Sequence, residues 1–152
     1  MAEPLRIRPA GPADLPAVTA LYRHLNPDDA IPPAGEAEQV WRRLLDHPGL
    51  MVLVGAAASG ELVASCTLVV IPNLTRGGRP YALIENVVTH ADHRQRGHGR
   101  ALLRAAVAAA WEAGCYKVML MTGSKRAETL RFYAEAGFEQ SKTGFQIRRP
   151  AI

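Results

Sequence analysis

The sequence predicts a mixed α/β fold with a mainly antiparallel central sheet flanked by helices. Three observations carry that expectation. Apolar residues switch along the chain between a two-residue period and a helical period. Three strand-like runs follow one another between Met51 and Thr89 with short breaks, as hairpin-type pairing requires. The strongest helical pattern lies between two strand-like runs, as a crossover does. With 152 residues and 48% hydrophobic content, the chain reads as a single domain, 1–152, able to bury its own core.

Residues 5–8 alternate and read as the first strand. Gly11-Pro12-Ala13-Asp14 breaks the chain and starts a helix, in which Leu15, Val18, Leu21, Tyr22 and Leu25 recur at helical spacing. Asn26-Pro27 ends it. A second helix is expected over 37–45, with Val40, Trp41, Leu44 and Leu45 on its inner face. Strands follow over 51–56 and 61–71, joined by a turn at 58–60. A loop over 72–80 is rich in Gly, Pro and Asn. The next strand spans 81–89. Residues 99–113 form the strongest helix, with Gly114 at its C-terminal cap. A strand over 116–121, a helix over 125–135 started by Ser124, and two short strands over 138–141 and 144–148 complete the order.

Composition narrows the function classes. No apolar run reaches the roughly 18 residues that span a bilayer. Met1-Ala2-Glu3-Pro4-Leu5 lacks the basic and apolar regions of a signal peptide. The two cysteines, Cys66 and Cys115, match no metal pattern and read as reduced core thiols of a cytoplasmic protein. No metal site is expected, because the histidines also lack ligand spacing. The net charge of +4 calls for an anionic partner. Nucleic acid is disfavoured, since no aromatic residues interleave with the arginines of 94–104. An anionic cofactor is the better fit.

The most informative stretch is Arg94-Gln95-Arg96-Gly97-His98-Gly99-Arg100, between a strand and a helix. A glycine-rich turn at a helix start aims backbone N–H groups and the positive end of the helix dipole outward, and the arginines add full charges. That combination holds a pyrophosphate. The third glycine of a dinucleotide fingerprint is missing, and so is the Gly-Lys-Ser/Thr of a P-loop.

The Arg-x-x-Gly-x-Gly spacing resembles the acyl-CoA-binding motif of the GNAT family of N-acetyltransferases. The central match covers residues 87–103. A second, Phe132-Tyr133-Ala134-Glu135-Ala136-Gly137-Phe138, is similar to the family's Tyr-x-x-x-Gly-Phe. The resemblance implies a fold and roles. Val87, Val88 and Thr89 would lie on a strand splayed from its neighbour, their free backbone groups pairing with pantetheine amides like an added strand. Arg94, Gln95, Arg96, Gly97, His98, Gly99 and Arg100 would wrap the pyrophosphate, mostly through backbone, so side-chain changes at Gln95 or His98 should matter little. Many members carry a cofactor-contacting Asn seven residues before the tyrosine. Arg126 stands there instead, and Ser124, Lys125 or Arg126 would take over that role.

Acetyl transfer to an amine needs a neutral amine, a polarised thioester carbonyl and a protonated leaving thiolate. In the family a strand N–H polarises the carbonyl, here that of Val87 or Val88, and no acyl-enzyme forms, so neither cysteine is needed. Tyr133 aligns with the family's general acid; the alternative is a tyrosine packed against the sheet. Glu85 lies two residues before Val87, so the two side chains are expected to share a face. It either serves as base or amine holder, or hydrogen-bonds within the sheet. His90 is a weaker base candidate. His93 and His98 read as surface residues. Asp28 and Asp29, and Arg76 and Arg79, sit in loops that line the acceptor site or meet only solvent.

The resemblance therefore implies an acetyl-CoA-dependent N-acetyltransferase acting by direct transfer on a primary amine, with a small-molecule acceptor. Dimers are common in the family, and the C-terminal strands offer an edge for a homodimer. The alternatives are a non-catalytic acyl-CoA-binding regulatory module and an acetyltransferase acting on a protein amine.

Overall fold

The computed structural model describes residues 4–151. The reading of the N-terminus as lacking a leader falls partly on residues 1–3, outside that range. The chain divides into two compact units, Met1–Leu120 and Met121–Ile152.

In the first unit the order is β1 (Arg6–Pro9), α1 (Leu15–Leu25), α2 (Ala34–Asp46), β2 (Leu50–Ala56), β3 (Leu62–Ile71), a helical turn α3 (Thr75–Gly78), β4 (Tyr81–Thr89), α4 (His98–Glu112) and β5 (Val118–Leu120). The sheet runs β1-β2-β3-β4-β5. Its first three pairings are antiparallel: short connections reverse the chain between β2 and β3 and between β3 and β4, whereas α1 and α2 lie between β1 and β2. The last, β4 with β5, is parallel, because α4 carries the chain back across the sheet. The mixed, mainly antiparallel sheet is the one the sequence predicts.

Register assigns the faces. Val52 and Val54 of β2 pack with Val18 of α1 and Trp41 of α2. Their partners across β3 are Thr67 and Ser65, so these point to the same helices. Residues of the other parity, among them Leu53, Cys66, Leu68 and Ile84, are equally buried, and α4 packs on β2, β3 and β4 with Leu102, Leu103, Ala106 and Ala110. Both cysteines are free and buried. Gly114 ends α4 as expected. Its φ of 81° is left-handed, and the Cys115 N–H donates to the Ala110 carbonyl at 3.1 Å, closing the helix.

Ahead of α1, a turn over Pro12–Asp14 is fixed by the Asp14 carboxylate, which accepts from the Gly11 N–H at 2.7 Å and from both terminal nitrogens of Arg8 at 2.7 and 3.0 Å. The Arg8 contact holds the Asp14 carboxyl below its ordinary range. Helix α2 buries Trp41, but Val40 is turned outward and 45% exposed, because neighbouring helix positions sit about 100° apart and the ring takes the inward one.

The second unit contains α5 (Ala127–Glu135). Ser124 does not cap its first turn. The hydroxyl accepts the Arg126 N–H at 3.3 Å and donates to Thr129 Oγ1 at 3.2 Å. The two strands expected over 138–141 and 144–148 do not form; the backbone there has no ladder partner among the described residues. Alternation alone specifies no partner, and an isolated hairpin is marginal in water. Phe145 and Ile147 stand 93% and 97% exposed.

Candidate active site

The site is built on one strand. β5 accompanies β4 only through the pairs Ala82–Val118, Leu83–Met119 and Ile84–Leu120. From Glu85 to Thr89, β4 continues along β3 with its other edge uncovered by β5. An uncovered edge presents N–H and C=O groups in a row, ready to bind an extended amide-bearing chain.

A bulge decides which groups those are. Glu85 pairs with Thr67 and Val88 with Ser65, so two residues, Asn86 and Val87, oppose Cys66 alone. Asn86 takes the left-handed conformation at φ 52° that such an insertion uses and that Asn tolerates. The bulge shifts the strand's phase. The Ala82 N–H donates toward β5, to the Lys117 carbonyl at 3.0 Å, whereas the His90 N–H donates toward β3, to Val63 at 2.8 Å. In an unbroken strand, positions 82 and 90 would turn to the same side. Counting back from His90, Val88 turns its amide to β3, and Val87 and Thr89 turn theirs to the open edge.

The same shift corrects an expectation about side chains. Glu85 and Val87 do not share a face. Glu85 shares one with Val88, since their partners Thr67 and Ser65 lie two apart on β3. That is the α1 and α2 face. Glu85 is exposed there. The Tyr22 hydroxyl of α1 lies beside Thr67, and burial holds its phenol above the usual tyrosine range. Tyr22 and Thr67 are site neighbours that the sequence pattern files as core, because register rather than composition brings them beside Glu85.

After β4 the chain passes a short turn over Ala91–His93 and enters the arginine stretch. Gln95 and Gly97 adopt positive φ, 61° and 81°, and fold it tightly onto the N-terminus of α4. Gly97 is the N-cap and has no side chain with which to close that end, so the first-turn amides and the dipole face the turn. Arg94 is held in place: Nε donates to the Thr89 carbonyl and Nη2 to the His24 carbonyl, both at 3.2 Å. Arg96 is exposed, and Gly99 and Arg100 are partly buried. His98 is not a surface residue. It is 2% exposed, because side chains in the first turn lean back beneath the helix start, and its ring centroid lies 6.2 Å from that of His93, itself partly buried.

Within the second unit, Tyr133 on α5 has ring neighbours Phe132 and Phe138 at 5.0 and 6.5 Å. Burial raises its phenol above the usual value, so it stays protonated through neutral pH. Arg126, at the position of the family's Asn, points to solvent and pairs with Glu128 at 2.6 Å.

Elsewhere, Arg76, Arg79 and Lys117 gather around the Tyr116 ring at 5.8, 5.7 and 5.3 Å, and Lys117 also lies 5.3 Å from the Tyr81 ring. Among the described residues no group of three or more His, Cys, Asp or Glu is arranged to hold a metal ion.

Comparison with known proteins places this architecture. The acetyltransferase (GNAT) family model matches residues 16–138. A solved structure, a putative acetyltransferase from Agrobacterium tumefaciens, is 49% identical, covers 95% of this chain and 99% of its own, and superposes with a TM-score of 0.90. Two curated relatives are a glucosamine 6-phosphate N-acetyltransferase from Trypanosoma brucei brucei, 39% identical over 53% of this chain, and a probable glucosamine 6-phosphate N-acetyltransferase 2 from Oryza sativa subsp. japonica, 39% identical over 61%. The match spans about half the length of each, 52% and 54%. The sheet with its uncovered strand edge, the turn and the family match agree: the chain belongs to the GNAT acetyltransferase family.

Proposed function

We propose that the protein is an acetyl-CoA-dependent N-acetyltransferase that passes an acetyl group directly to a primary amine of a small molecule. The observation that carries this reading is the uncovered edge of β4, phased by the bulge and running straight into the cationic turn. Acetyl-CoA supplies the activated acyl group. Val87 and Thr89 offer backbone groups to the pantetheine amides, and the Val87 N–H polarises the thioester carbonyl. Gln95 to Arg100 wrap the pyrophosphate, with Arg96 free to reach a phosphate and Arg94 bracing the turn. Ser124 and Arg126 remain candidates for the family's Asn contact.

Glu85 holds the acceptor ammonium and draws off its proton. The amine nitrogen then bonds to the carbonyl carbon and gives up its second proton to solvent, the carbon–sulfur bond breaks, and Tyr133 gives its proton to the departing thiolate and regains one from solvent. A raised phenol suits that role, because an acid must be protonated before it can donate. The relatives' names make a phosphorylated amino sugar the first acceptor to try. Arg76, Arg79 and Lys117, which meet no carboxylate among the described residues, are cations available to its phosphate. Residues 1–152 as one catalytic domain, a cytoplasmic location and a homodimer belong to the same proposal. No helix among the described residues is long and apolar enough to cross a membrane.

The test is calorimetric titration with acetyl-CoA, then thiol release with a panel of amines on wild type and Tyr133→Phe. Binding with amine-dependent release that falls in the variant is the expected result. Binding without turnover on any amine favours a regulatory acyl-CoA-binding module, and absence of binding overturns the reading.

A further inference from the structure

The phosphate-binding turn is fastened to a helix far away in sequence. His24, in the last turn of α1, contacts it twice. Its Nδ1 accepts the Ala91 N–H at 3.4 Å, and its carbonyl accepts Arg94 Nη2 at 3.2 Å, while Arg94 Nε donates to the Thr89 carbonyl at the end of the open edge. One residue of α1 thus grips both the entry to the turn and the arginine that joins turn to strand.

His24 also begins a row of rings. Centroids lie 4.1 Å from His24 to His90, 5.5 Å from His90 to His93, and 6.2 Å from His93 to His98, the first residue of α4. His90 Nδ1 accepts the Asp92 N–H at 3.1 Å. In both His24 and His90, then, Nδ1 is a lone-pair acceptor for a backbone N–H of the Ala91–His93 turn. An imidazole that takes up a proton carries N–H on both nitrogens and loses that acceptor.

We propose that His24 is a positioning residue for the cofactor: its neutral imidazole and its carbonyl hold the turn in the conformation that binds the acyl-CoA phosphates, and protonation releases the imidazole half of that grip. The proposal rests on the assignment of the turn to acyl-CoA. The charged and titratable groups that face the two rings are known. Arg94 and Asp92 come from the turn, His93 and through it His98 from the start of α4, and Glu61 from the β2–β3 hairpin, 3.8 Å from His93 Nε2. Arg8 and Asp14, already paired with each other, line with His24, Glu61 and His90 an open cleft of about 430 Å³. The cleft is open and both rings are only partly buried, so they are accessible to solvent protons.

Two substitutions separate positioning from bulk. In His24→Asn, Oδ1 stands the same number of bonds from Cα as Nδ1 does, so an acceptor is retained that cannot take a proton near neutral pH. In His24→Leu the acceptor is gone. Coenzyme A affinity is measured by calorimetry on the full chain from about pH 5.5 to 8.5, spanning the range where imidazoles titrate. At the alkaline end His24→Asn should bind like wild type, and His24→Leu about three- to tenfold more weakly, the usual worth of one hydrogen bond. Towards acid, wild type should lose more affinity than His24→Asn. Should His24→Leu not fold, the acid-to-alkaline ratio of wild type against His24→Asn still decides.

Equal affinity of His24→Leu and wild type at the alkaline end overturns the proposal, and so does an acid loss as large in His24→Asn as in wild type. A second readout needs no ligand. The Ala91 amide resonance should move further with pH in wild type than in His24→Asn, where His90 alone remains as an imidazole acceptor in the turn. If that holds while wild type fails to bind coenzyme A at any pH, the grip exists and the assignment of the turn to acyl-CoA is what fails; if the resonance behaves alike in both, the grip itself is refuted.

Discussion

The two halves of β4 are one continuous strand with opposite duties. Over Ala82 to Ile84 the strand has a neighbour on each side, and Ala82 and Ile84 are buried at 0% and 1% exposure. Over Glu85 to Thr89 it has β3 on one side only, a bulge at Asn86 and Val87, and an exposed carboxylate. The first half spends its backbone hydrogen bonds on the sheet and its side chains on the core. The second keeps part of its backbone in hand. The divide falls where β5 stops, between adjacent residues, Ile84 and Glu85.

Substitutions on either side of that divide should therefore fail in different ways. The largest effects are kinetic. Glu85→Gln should lower kcat/KM about a hundredfold or more, the usual worth of a general base, while leaving the urea midpoint close to wild type. Tyr133→Phe should lower kcat on a similar scale. Wild-type kcat should decline on the alkaline side only as pH rises past the ordinary tyrosine range, because burial raises that phenol, and the variant should lack this decline. On the other side of the divide, Ile84→Ala should cost about 2–5 kcal/mol of stability in urea unfolding, as buried truncations do, with the folded fraction still active. An Ile84 variant that is stable but dead, or a Glu85 variant that is active but unfolded, would erase the distinction between the halves.

Asn86 probes the bulge. Asn86→Gly should preserve coenzyme A binding. Asn86→Val must be forced into positive φ, at a cost of about 1–2 kcal/mol, or must flatten the bulge and turn the Val87 amide away. It should lose both stability and affinity; unchanged affinity would refute the phase assignment. The smallest effect belongs to Val87→Ala, which should alter coenzyme A affinity by less than about threefold, since the contact is made by backbone groups that the substitution leaves in place.

Which of these features are legible before folding follows from how each is encoded. Helix α4 is, because its apolar stripe, the glycines before it and Gly114 after it all agree. The turn is legible because glycine and arginine spacing is a local signal. The bulge is not. Tyr81 to Thr89 reads as one continuous strand, and only the adjacent polar pair Glu85-Asn86 and the tolerance of Asn for positive φ hint otherwise. Without it, Glu85 is assigned the company of Val87 instead of Val88. His98 reads as surface because a polar residue in a cationic turn usually is, whereas its place at the first helical position tucks it inward. The strands expected over 138–141 and 144–148 show the reverse failure: a pattern that fits a strand, without a neighbour to make it one. Tyr22 and His24 escape notice because α1 meets the site only through tertiary packing.

Amide hydrogen exchange along β4 and the turn, with and without coenzyme A, tests the central claim most directly. Coenzyme A should slow exchange at Val87 and Thr89 and across residues 95–101, while Val88 and the amides of 81–84, already bonded within the sheet, change little. Protection confined to other segments, or a pattern in which Val88 responds and Val87 does not, would contradict the assignment of the open edge as the cofactor's binding strand.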